Sequence, residues 1–258
     1  MPAPVSAETN LRIGGTGSAL GTMKLIADAY EKSHPGIKIH IMPSLGSTAG
    51  IKAVLAGAID LGFSSRPMSE SELQQGALAT EYARTPFIFI THPKVSKKGI
   101  TTKELETIYS RPESAWPDGS RIRLILRPEK DMDTTLISSI SPGVEQGMKA
   151  ALARPGMIMA ITDQEATDSV ARTSASLGAS TLGEIISEKR AVNILSFNGV
   201  PPSVKTLADR SYPLTKSLYL VTASKTSAEA RRFTEFILSP AAAKILKENG
   251  NMAVKARQ

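Results

Sequence analysis

A repeated order of strand, small-residue loop and helix opens this sequence, and it narrows the choice of fold more than any other feature. Residues 11–13 (Leu-Arg-Ile) predict a short strand, residues 14–18 (Gly-Gly-Thr-Gly-Ser) a tight loop, and the chain after them a helix with one apolar face. The same order returns, with a strand at 37–41, a turn at 46–48 (Gly-Ser-Thr) and a helix from Ile51. Strands that alternate with helices predict a mostly parallel sheet with helices on both faces.

The rest of the chain continues this alternation, with one polar interruption. Residues 127–135, which follow a buried strand, read as a polar loop. Two Thr-x-x-Glu sequences, at 101–104 and 162–165, predict helices that start with a capping box. Further strands are predicted at 59–63, 86–91, 122–126, 192–197 and 218–222, and further helices at 142–154, 226–238 and 240–249.

The composition indicates a globular chain that attracts anions. Of its 258 residues, 41 % are hydrophobic and 21 % are charged, and no stretch of about 18 apolar residues could span a bilayer. This length fits one large α/β domain or two lobes. The 31 Lys and Arg residues against 24 Asp and Glu residues give a net charge of +7, which favours nucleic acid, acidic membranes or small oxyanions as partners. Nucleic acid is disfavoured, because the basic residues are scattered, aromatic residues make up only 5 % and no recognition-helix or zinc-finger pattern is present.

Catalytic and metal-binding constellations are hard to assemble from this sequence. The lack of cysteine excludes disulfides, thiolate metal sites and a Cys nucleophile. His34, His40 and His92 fall outside the Ser/Thr loops, which argues against a Ser-His-Asp triad, and no Gly-x-Ser-x-Gly elbow, Walker A loop or His cluster is present. An acidic pair such as Asp131 and Asp133 is more typical of an N-cap or a solvated turn than of a metal site. We therefore predict no catalytic residue, no metal and no cofactor.

Polar loops follow the predicted strands at the end where α/β proteins bind ligands, beside helix N-termini that favour an anion. Each Ser or Thr could instead be an ordinary N-cap, worth about 1 kcal/mol. Four loops of similar chemistry, two of them beside an arginine that can bind an oxyanion through two parallel hydrogen bonds, favour an oxyanion site. The ligand-binding residues are predicted to be Gly17, Ser18, Ser47, Thr48, Ser64, Ser65, Arg66, Arg127, Asp131, Asp133, Thr134 and Thr135.

These motifs resemble those of the periplasmic phosphate-binding proteins of ABC transporters, within the type II periplasmic-binding-protein family. The resemblance starts in the loop at 14–18 and continues through 46–52 (Gly-Ser-Thr-Ala-Gly-Ile-Lys) and 60–69 (Asp-Leu-Gly-Phe-Ser-Ser-Arg-Pro-Met-Ser). It returns at 212–214 (Tyr-Pro-Leu) and in the C-terminal helices at 233–253. The spacings in the first 70 residues are fairly specific, whereas the middle of the chain diverges.

The resemblance implies an α/β fold of two lobes, each a mostly parallel sheet flanked by helices, with the ligand held in a cleft between them by hinge closure. Residues 1–88 and 217–258 would form lobe 1, and residues 89–216 would form lobe 2. Two crossing strands, near 87–91 and 218–222, would join the lobes. Each of these bounds is an expectation carried over from the family.

The same resemblance implies a role in transport. Ser18 and Ser47 match hydroxyl donors of the family, and Arg127 matches the arginine that forms a salt bridge with the ligand. A monomer that delivers a small anion to a membrane permease is expected. Residues 1–8 read like the disordered start of a mature exported chain, so we expect a periplasmic protein whose signal peptide is missing from this chain.

Two departures from the family bear on the ligand. The family has an acidic residue after the Ser of the third loop, where this chain has Ser65 and then Arg66. After the arginine the family has Asp and then Ser-Gly-Thr, whereas this chain continues Pro-Glu-Lys-Asp-Met-Asp-Thr-Thr. One hypothesis is that Asp131 or Asp133 has become the proton acceptor that selects hydrogen phosphate over sulfate. The other is that Arg66 and the hydroxyls select a phosphonate, molybdate or an organic carboxylate.

The leading function is therefore an extracytoplasmic solute-binding protein of an ABC importer, with phosphate or a related oxyanion as its ligand. A phosphomonoesterase that uses Ser18, Ser65 or another loop hydroxyl as nucleophile is the enzyme alternative, and it lacks an evident base. A ligand-sensing domain of a regulator is the third reading, because the same fold serves there and a fold does not fix a function.

Overall fold

A computed structural model describes residues 9–254, which fall into two compact units. Within that range, unit 1 holds residues 9–84, 217–249 and 253–254, and unit 2 holds residues 85–216 and 250–252. The predicted mature start at residues 1–8 lies outside the described residues. No helix between residues 9 and 254 is both long enough and apolar enough to cross a membrane.

Strands and helices alternate along most of the described chain, as predicted. The strands are β1 (Thr9–Gly15), β2 (Ile37–Ile41), β3 (Leu61–Ser64), β4 (Ala77–Thr91), β5 (Gly99–Ile100), β6 (Arg123–Leu126), β7 (Ile158–Met159), β8 (Ser176–Thr181), β9 (Asn193–Ile194), β10 (Ser196–Phe197), β11 (Thr215–Ala223) and β12 (Met252–Ala253). The helices are α1 (Gly17–Ser33), α2 (Gly46–Leu55), α3 (Glu70–Gln74), α4 (Thr102–Ser110), α5 (Met132–Ser138), α6 (Pro142–Leu152), α7 (Asp163–Arg172), α8 (Leu182–Ser187), α9 (Val204–Ala208), α10 (Ala228–Ile237) and α11 (Pro240–Glu248).

Unit 1 is built on strands in the order β2, β1, β3, β11, followed by the first half of β4 (residues 77–84). β1 pairs in parallel with β2 and β3, and β11 runs antiparallel to β3. Leu11 and Ile13 of β1 are buried in one core with Ile26 and Tyr30 of α1 and with Phe233 of α10. Because β1, β2 and β3 are parallel, the loops that follow them lie at the same edge of the sheet.

Unit 2 is built on strands in the order β4, β8, β6, β7. β6 runs parallel to β7 and β8, while β4 is antiparallel to β8. Its core includes Phe87 and Phe89 of β4, Leu126 of β6 and Val144 of α6. The carboxyl ends of β6 and β7 lead directly into the segments that carry Arg127 and, shortly after β7, Asp163.

The α/β class predicted from the alternation is confirmed, and the structure corrects some element boundaries. β4 starts at Ala77, nine residues before the predicted strand, because only its second half is a continuous apolar run. Residues 127–135 are not all loop, since Asp131 accepts a hydrogen bond from the backbone N–H of Asp133 and α5 begins at Met132. The predicted strand at 192–197 is divided into the short strands β9 and β10.

The capping box predicted at 101–104 is present, but the one predicted at 162–165 is not complete. Thr162 Oγ1 accepts from the backbone N–H of Glu165 at 3.1 Å, as in a capping box. The Glu165 carboxylate, however, accepts from the N–H of Ile161 at 2.7 Å, one residue before the N-cap.

Candidate functional site

Side-chain capping separates two helices from all the others in the described part of the chain. Nine of the eleven helices begin with a Ser, Thr or Asp side chain that accepts a hydrogen bond from the first turn. At α1 and α2 no such capping bond is formed. The two exceptions begin in the loops that were predicted to bind an anion, so the N-cap interpretation does not account for their hydroxyl groups. The capping residues of the other nine are Ser69, Thr101, Asp131, Ser141, Thr162, Thr181, Ser203, Ser227 and Ser239.

The loop between β1 and α1 is held tightly against β3. Gly15 has φ +143°, and a Cβ at this position would lie 2.0 Å from the carbonyl oxygen of Phe63. The N–H of Thr16 donates to that same carbonyl at 2.9 Å. Ser18, in the first turn of α1, has only 1 % of its surface exposed. The α1 N-terminus is thus fixed at the carboxyl end of the sheet, where its N–H groups and dipole favour an anion.

The start of α2 is joined to the loop after β3 through two serines. Ser47 Oγ accepts from the N–H of Ser65 at 2.9 Å, and the two hydroxyls are 3.1 Å apart. Gly50 lets α2 approach β1, because a Cβ there would lie 2.7 Å from the Cα of Gly15. Ser44, in the loop before α2, has a buried Oγ without a hydrogen-bond partner among residues 9–254. Ser44 is a hydroxyl donor in this region that the sequence motifs did not reveal.

Arg66 lies beside these serines, but its guanidinium is already paired. Its two terminal nitrogens donate to the Glu72 carboxylate at 2.7 and 2.8 Å, and Nη2 also donates to Thr48 Oγ1 at 3.2 Å. The hydrogen bonds from Arg66 lower the pKa of Glu72 to about 2. Ser64 accepts from the N–H of Arg66 and donates to its carbonyl, so its hydroxyl shapes the loop. This arrangement neutralises the positive charge of Arg66 locally.

In unit 2, Arg127 is the centre of a buried group of charged residues. Only 7 % of Arg127 is exposed, and its Nη2 donates to Asp131 at 2.8 Å while Nη1 donates to the carbonyl of Ala160 at 3.2 Å. Its Nε is buried and makes no hydrogen bond within residues 9–254, although an oxygen of Asp133 lies 4.0 Å away. Burial opposes the charge on Arg127, but the carboxylates of Asp163, Asp131 and Asp133 outweigh it and raise its pKa. Arg127 is therefore a charged donor with one N–H still available to an acceptor.

Lys216 completes this group from the first part of β11. Its Nζ donates to Asp133 and, at 3.1 Å, to Asp163. All three side chains are buried, with at most 5 % exposed. Burial disfavours the ammonium, but the two carboxylates raise the pKa of Lys216, so it stays charged. Burial also raises the pKa of Asp133, against the pull of Lys216.

The other two residues of unit 2 that were predicted to bind the ligand, Thr134 and Thr135, donate their hydroxyl hydrogen bonds to backbone carbonyls. Thr134 Oγ1 donates to the carbonyl of Arg127 at 3.1 Å and so fixes the loop that carries the arginine. Thr135 Oγ1 donates to the carbonyl of Asp131 within α5 at 3.1 Å. The structure thus brings together Arg127, Asp131, Asp133 and Thr134 in unit 2. In unit 1 it brings together Ser47, Thr48, Ser64, Ser65 and Arg66, with Gly17 and Ser18 at the start of the neighbouring helix α1.

Sequence reasoning missed Lys216 and Asp163, although a signal for Lys216 was present. Lys216, Leu218 and Leu220 alternate as the buried residues of β11, so a strand started two residues earlier would have placed Lys216 on the inner face. Asp163 is the first residue of α7, a position where an acidic residue is ordinary, and nothing in the sequence distinguished it. No group of three or more His, Cys, Asp or Glu suited to a metal ion occurs within residues 9–254.

A buried acid next to this group predicts a pH-dependent stability. Glu184 has 1 % of its surface exposed and accepts from Thr167 at 2.8 Å and Ser180 at 2.9 Å, and burial together with Asp163 raises its pKa to about 8. Between the ordinary pKa of Glu and this value the folded state binds more protons than the unfolded state, so stability falls as pH rises, by up to about 1.4 kcal/mol per unit.

The variant Glu184→Gln should remove that part of the pH dependence. Thermal unfolding from pH 5 to pH 8 should show a smaller decrease in Tm for the variant than for the wild type. Glu113→Gln, at an exposed loop position, is the matched control and should leave the slope nearly unchanged. Equal slopes for wild type and Glu184→Gln would show that Glu184 is ionised at neutral pH.

Comparisons with known proteins agree with this architecture. The chain is 25 % identical over 256 residues to the phosphate-binding protein PstS of Borreliella burgdorferi, covering 96 % of this chain and 91 % of PstS. A Clostridium perfringens protein described as a phosphate ABC transporter substrate-binding protein, crystallised with phosphate, matches with a TM-score of 0.81 at 22 % identity, over 96 % of this chain and all of that one. The periplasmic molybdate-binding protein of Azotobacter vinelandii matches with a TM-score of 0.65 at 17 % identity, with the same coverage.

Because their sequence identities are 22 % and 17 %, these solved structures show the fold alone. The family follows from a match that is independent of them. A family model described as the PBP superfamily domain matches residues 2–241, which is most of the sequence. The chain therefore belongs to the PBP superfamily, as the resemblance of its motifs implied.

Proposed function

We propose that the protein is an extracytoplasmic solute-binding protein of an ABC importer, with phosphate as its ligand. The observation that carries this proposal is that α1 and α2 lack a side-chain cap, whereas the other nine helices of residues 9–254 have one. An oxyanion at the N-terminus of α2 would accept the hydrogen bonds that a capping side chain accepts elsewhere. The name of the Borreliella burgdorferi relative, a phosphate-binding protein, supports phosphate as that oxyanion.

Each unit offers donors suited to an oxyanion. In unit 1 these are the N–H groups that begin α1 and α2, with the hydroxyls of Ser18, Ser47 and Ser65 nearby. In unit 2 the donor is Arg127, whose buried Nε makes no hydrogen bond within residues 9–254. Arg66 is a weaker candidate, because Glu72 already takes both of its terminal nitrogens.

The carboxylates of unit 2 favour an anion that carries a proton. Asp131, Asp133 and Asp163 outnumber the cations Arg127 and Lys216, so a fully ionised anion near Arg127 would also meet negative charge. A hydrogen phosphate ion can donate its proton to a carboxylate, whereas sulfate has none at neutral pH. Of the two proposed acceptors, Asp131 is better suited: its side chain is 23 % exposed, whereas Asp133 is buried and held by Lys216.

Isothermal titration calorimetry with phosphate, sulfate and molybdate tests this function. We expect one phosphate per chain, with sulfate binding at least about 100-fold more weakly, a difference of about 2.7 kcal/mol. The variant Asp131→Asn, which keeps the shape of the side chain, should reduce this selectivity. Tight binding of sulfate or molybdate without phosphate would contradict the assignment of the ligand, and no binding of any of the three would contradict the oxyanion site.

The relatives named above are substrate-binding proteins, and we propose that this chain likewise breaks no bond. We also propose that it acts as a monomer, needs no cofactor and delivers its ligand to a membrane permease. The phosphomonoesterase alternative needs a general base beside Ser18 or Ser65. The hydroxyl of Ser65 shares a hydrogen bond with the hydroxyl of Ser47, which cannot serve as that base. Release of inorganic phosphate from p-nitrophenyl phosphate would overturn the proposal that the chain is not an enzyme.

A further inference from the structure

A second cationic site lies in unit 2, at the opposite end of β6 from Arg127. A cavity of about 790 Å³ opens there, lined by Arg111, Arg121, Arg123 and Arg154. β6 rises by about 3.3 Å per residue, so Arg123 at its start and Arg127 just after its end are separated by about 13 Å. The cavity is therefore distinct from the oxyanion site proposed above.

These four arginines differ from most others in the described chain. Six arginines have a carboxylate within 4.0 Å, which is the usual way in which this protein neutralises a guanidinium. None of the four around the cavity has one among residues 9–254, and no Asp or Glu lines the cavity. Asp118, close by in sequence, accepts instead from the N–H and hydroxyl of Ser120. Unpaired positive charges around one cavity repel each other, and an anion would relieve that repulsion. The six paired arginines are Arg12, Arg66, Arg84, Arg127, Arg190 and Arg232.

Two of the four are held in place by the backbone. Arg121 Nε donates to the carbonyl of Pro112 at 2.8 Å, and Arg154 donates to the carbonyl of Tyr109. Each of these bonds uses one N–H and leaves the other nitrogens of the guanidinium for a ligand. Arg111 and Arg123 are exposed at the cavity and make no ion pair within the described residues. Arginines bind carboxylate or phosphate groups through paired hydrogen bonds, and Arg121 and Arg154 are already oriented by the backbone.

The remainder of the lining suits a ligand with a carbon skeleton. Ile122, Leu124, Met157 and Ile158 contribute apolar surface between the arginines. The volume falls within the range of about 300–1,000 Å³ that is typical of sites for small organic ligands. An inorganic ion would leave most of this cavity empty.

We propose that this cavity binds a small organic molecule that carries two or more carboxylate or phosphate groups. The charged groups of the ligand pair with the arginines, and its carbon skeleton contacts the apolar lining. This site does not depend on the function proposed for the oxyanion site, since it shares no residue with it.

Titration calorimetry with citrate and with fructose 1,6-bisphosphate, in saturating phosphate, tests the proposal. We expect at least one of these probes to bind at one site per chain, with weaker binding at higher salt, and acetate not to bind. The double variant Arg111→Ala/Arg123→Ala should lose at least about tenfold in affinity for that probe, a change of about 1.4 kcal/mol. The same variant should bind phosphate as the wild type does, which separates this proposal from the one for the oxyanion site.

The matched control is Arg231→Ala/Arg232→Ala, which removes two exposed charges from α10 in unit 1. It should leave the affinity for the probe unchanged. Either of two results would overturn the proposal: neither citrate nor the bisphosphate binds, or the two double variants reduce the affinity equally, as a general effect of net charge would.

Discussion

Replacing Lys216 by methionine is expected to destabilise the protein by about 3–5 kcal/mol, the usual cost of removing one partner of a buried ion pair. Asp133 and Asp163, both buried, would lose the cation that compensates them. For a chain of this size the loss corresponds to a decrease in Tm of roughly 6–20 °C. Thermal unfolding at pH 7, followed by circular dichroism, measures it.

The pH dependence of this variant gives a second measure. Without Lys216 the pKa of Asp133 should rise further, because burial then acts without the opposing ammonium. A raised carboxyl pKa destabilises the folded state as pH rises through it, so the deficit should be smaller at pH 5 than at pH 8. Lys24→Met is the matched control, since Lys24 pairs with Asp28 on the surface and its loss should cost less than about 1 kcal/mol. A Lys216→Met protein as stable as the wild type would show that the buried group tolerates its net negative charge.

Replacing Arg127 by alanine is expected to weaken phosphate binding at least about 100-fold, which corresponds to about 2.7 kcal/mol. The change removes a charged donor, and it also leaves Asp131 without its 2.8 Å partner, so that the anion would face an uncompensated carboxylate. The affinity of Arg127→Lys for phosphate should lie between those of the wild type and Arg127→Ala, because an ammonium keeps the charge but lacks the planar arrangement of donors. Calorimetric titration with phosphate measures all three proteins.

Arg66→Ala is the control for this prediction. Arg66 is an arginine beside a predicted ligand loop, as Arg127 is, but its terminal nitrogens are bound to Glu72. We expect the affinity of the Arg66→Ala variant for phosphate to stay within about threefold of that of the wild type. If Arg66→Ala weakened binding as much as Arg127→Ala, the two arginines would be equivalent donors, and if Arg127→Ala bound normally the arginine would have no contact with the ligand. The thermal unfolding of each variant shows whether it is folded.

The fold was predictable because its signals are local. The strand at 11–13, the loop after it and the helix stripe that follows each depend on a few adjacent residues, and the alternation of such units implies a parallel sheet with helices. The predicted boundaries of helices and strands were less accurate where a residue fits a loop as well as the end of a helix. Asp131 was an acidic loop residue by sequence, and only the hydrogen bond from the N–H of Asp133 shows that a helix begins there.

The candidate site was predictable only in part, since its electrostatics depend on residues far apart in sequence. The hydroxyl loops and Arg127 could be proposed from their positions at strand ends. Lys216 pairs with Asp133, 83 residues away, and with Asp163, 53 residues away, and no local pattern in the sequence reports such contacts. The same holds for Arg66, whose bidentate partner Glu72 lies on the next helix and changes a candidate ligand donor into a paired side chain.

The order of segments in the two units has a consequence for how the chain is made. Unit 2 is almost wholly one continuous stretch, Thr85–Lys216. In unit 1, β3 pairs with residues 219–221 of β11, which come after that stretch. A chain emerging from the ribosome or a translocon can form most of the core of unit 2 once Lys216 has appeared. The edge of β3 stays unpaired until β11 emerges, and an unpaired strand edge is a site of aggregation. Chains that stop before Thr215 would therefore carry this exposed edge permanently, which makes them natural substrates for chaperones and proteases.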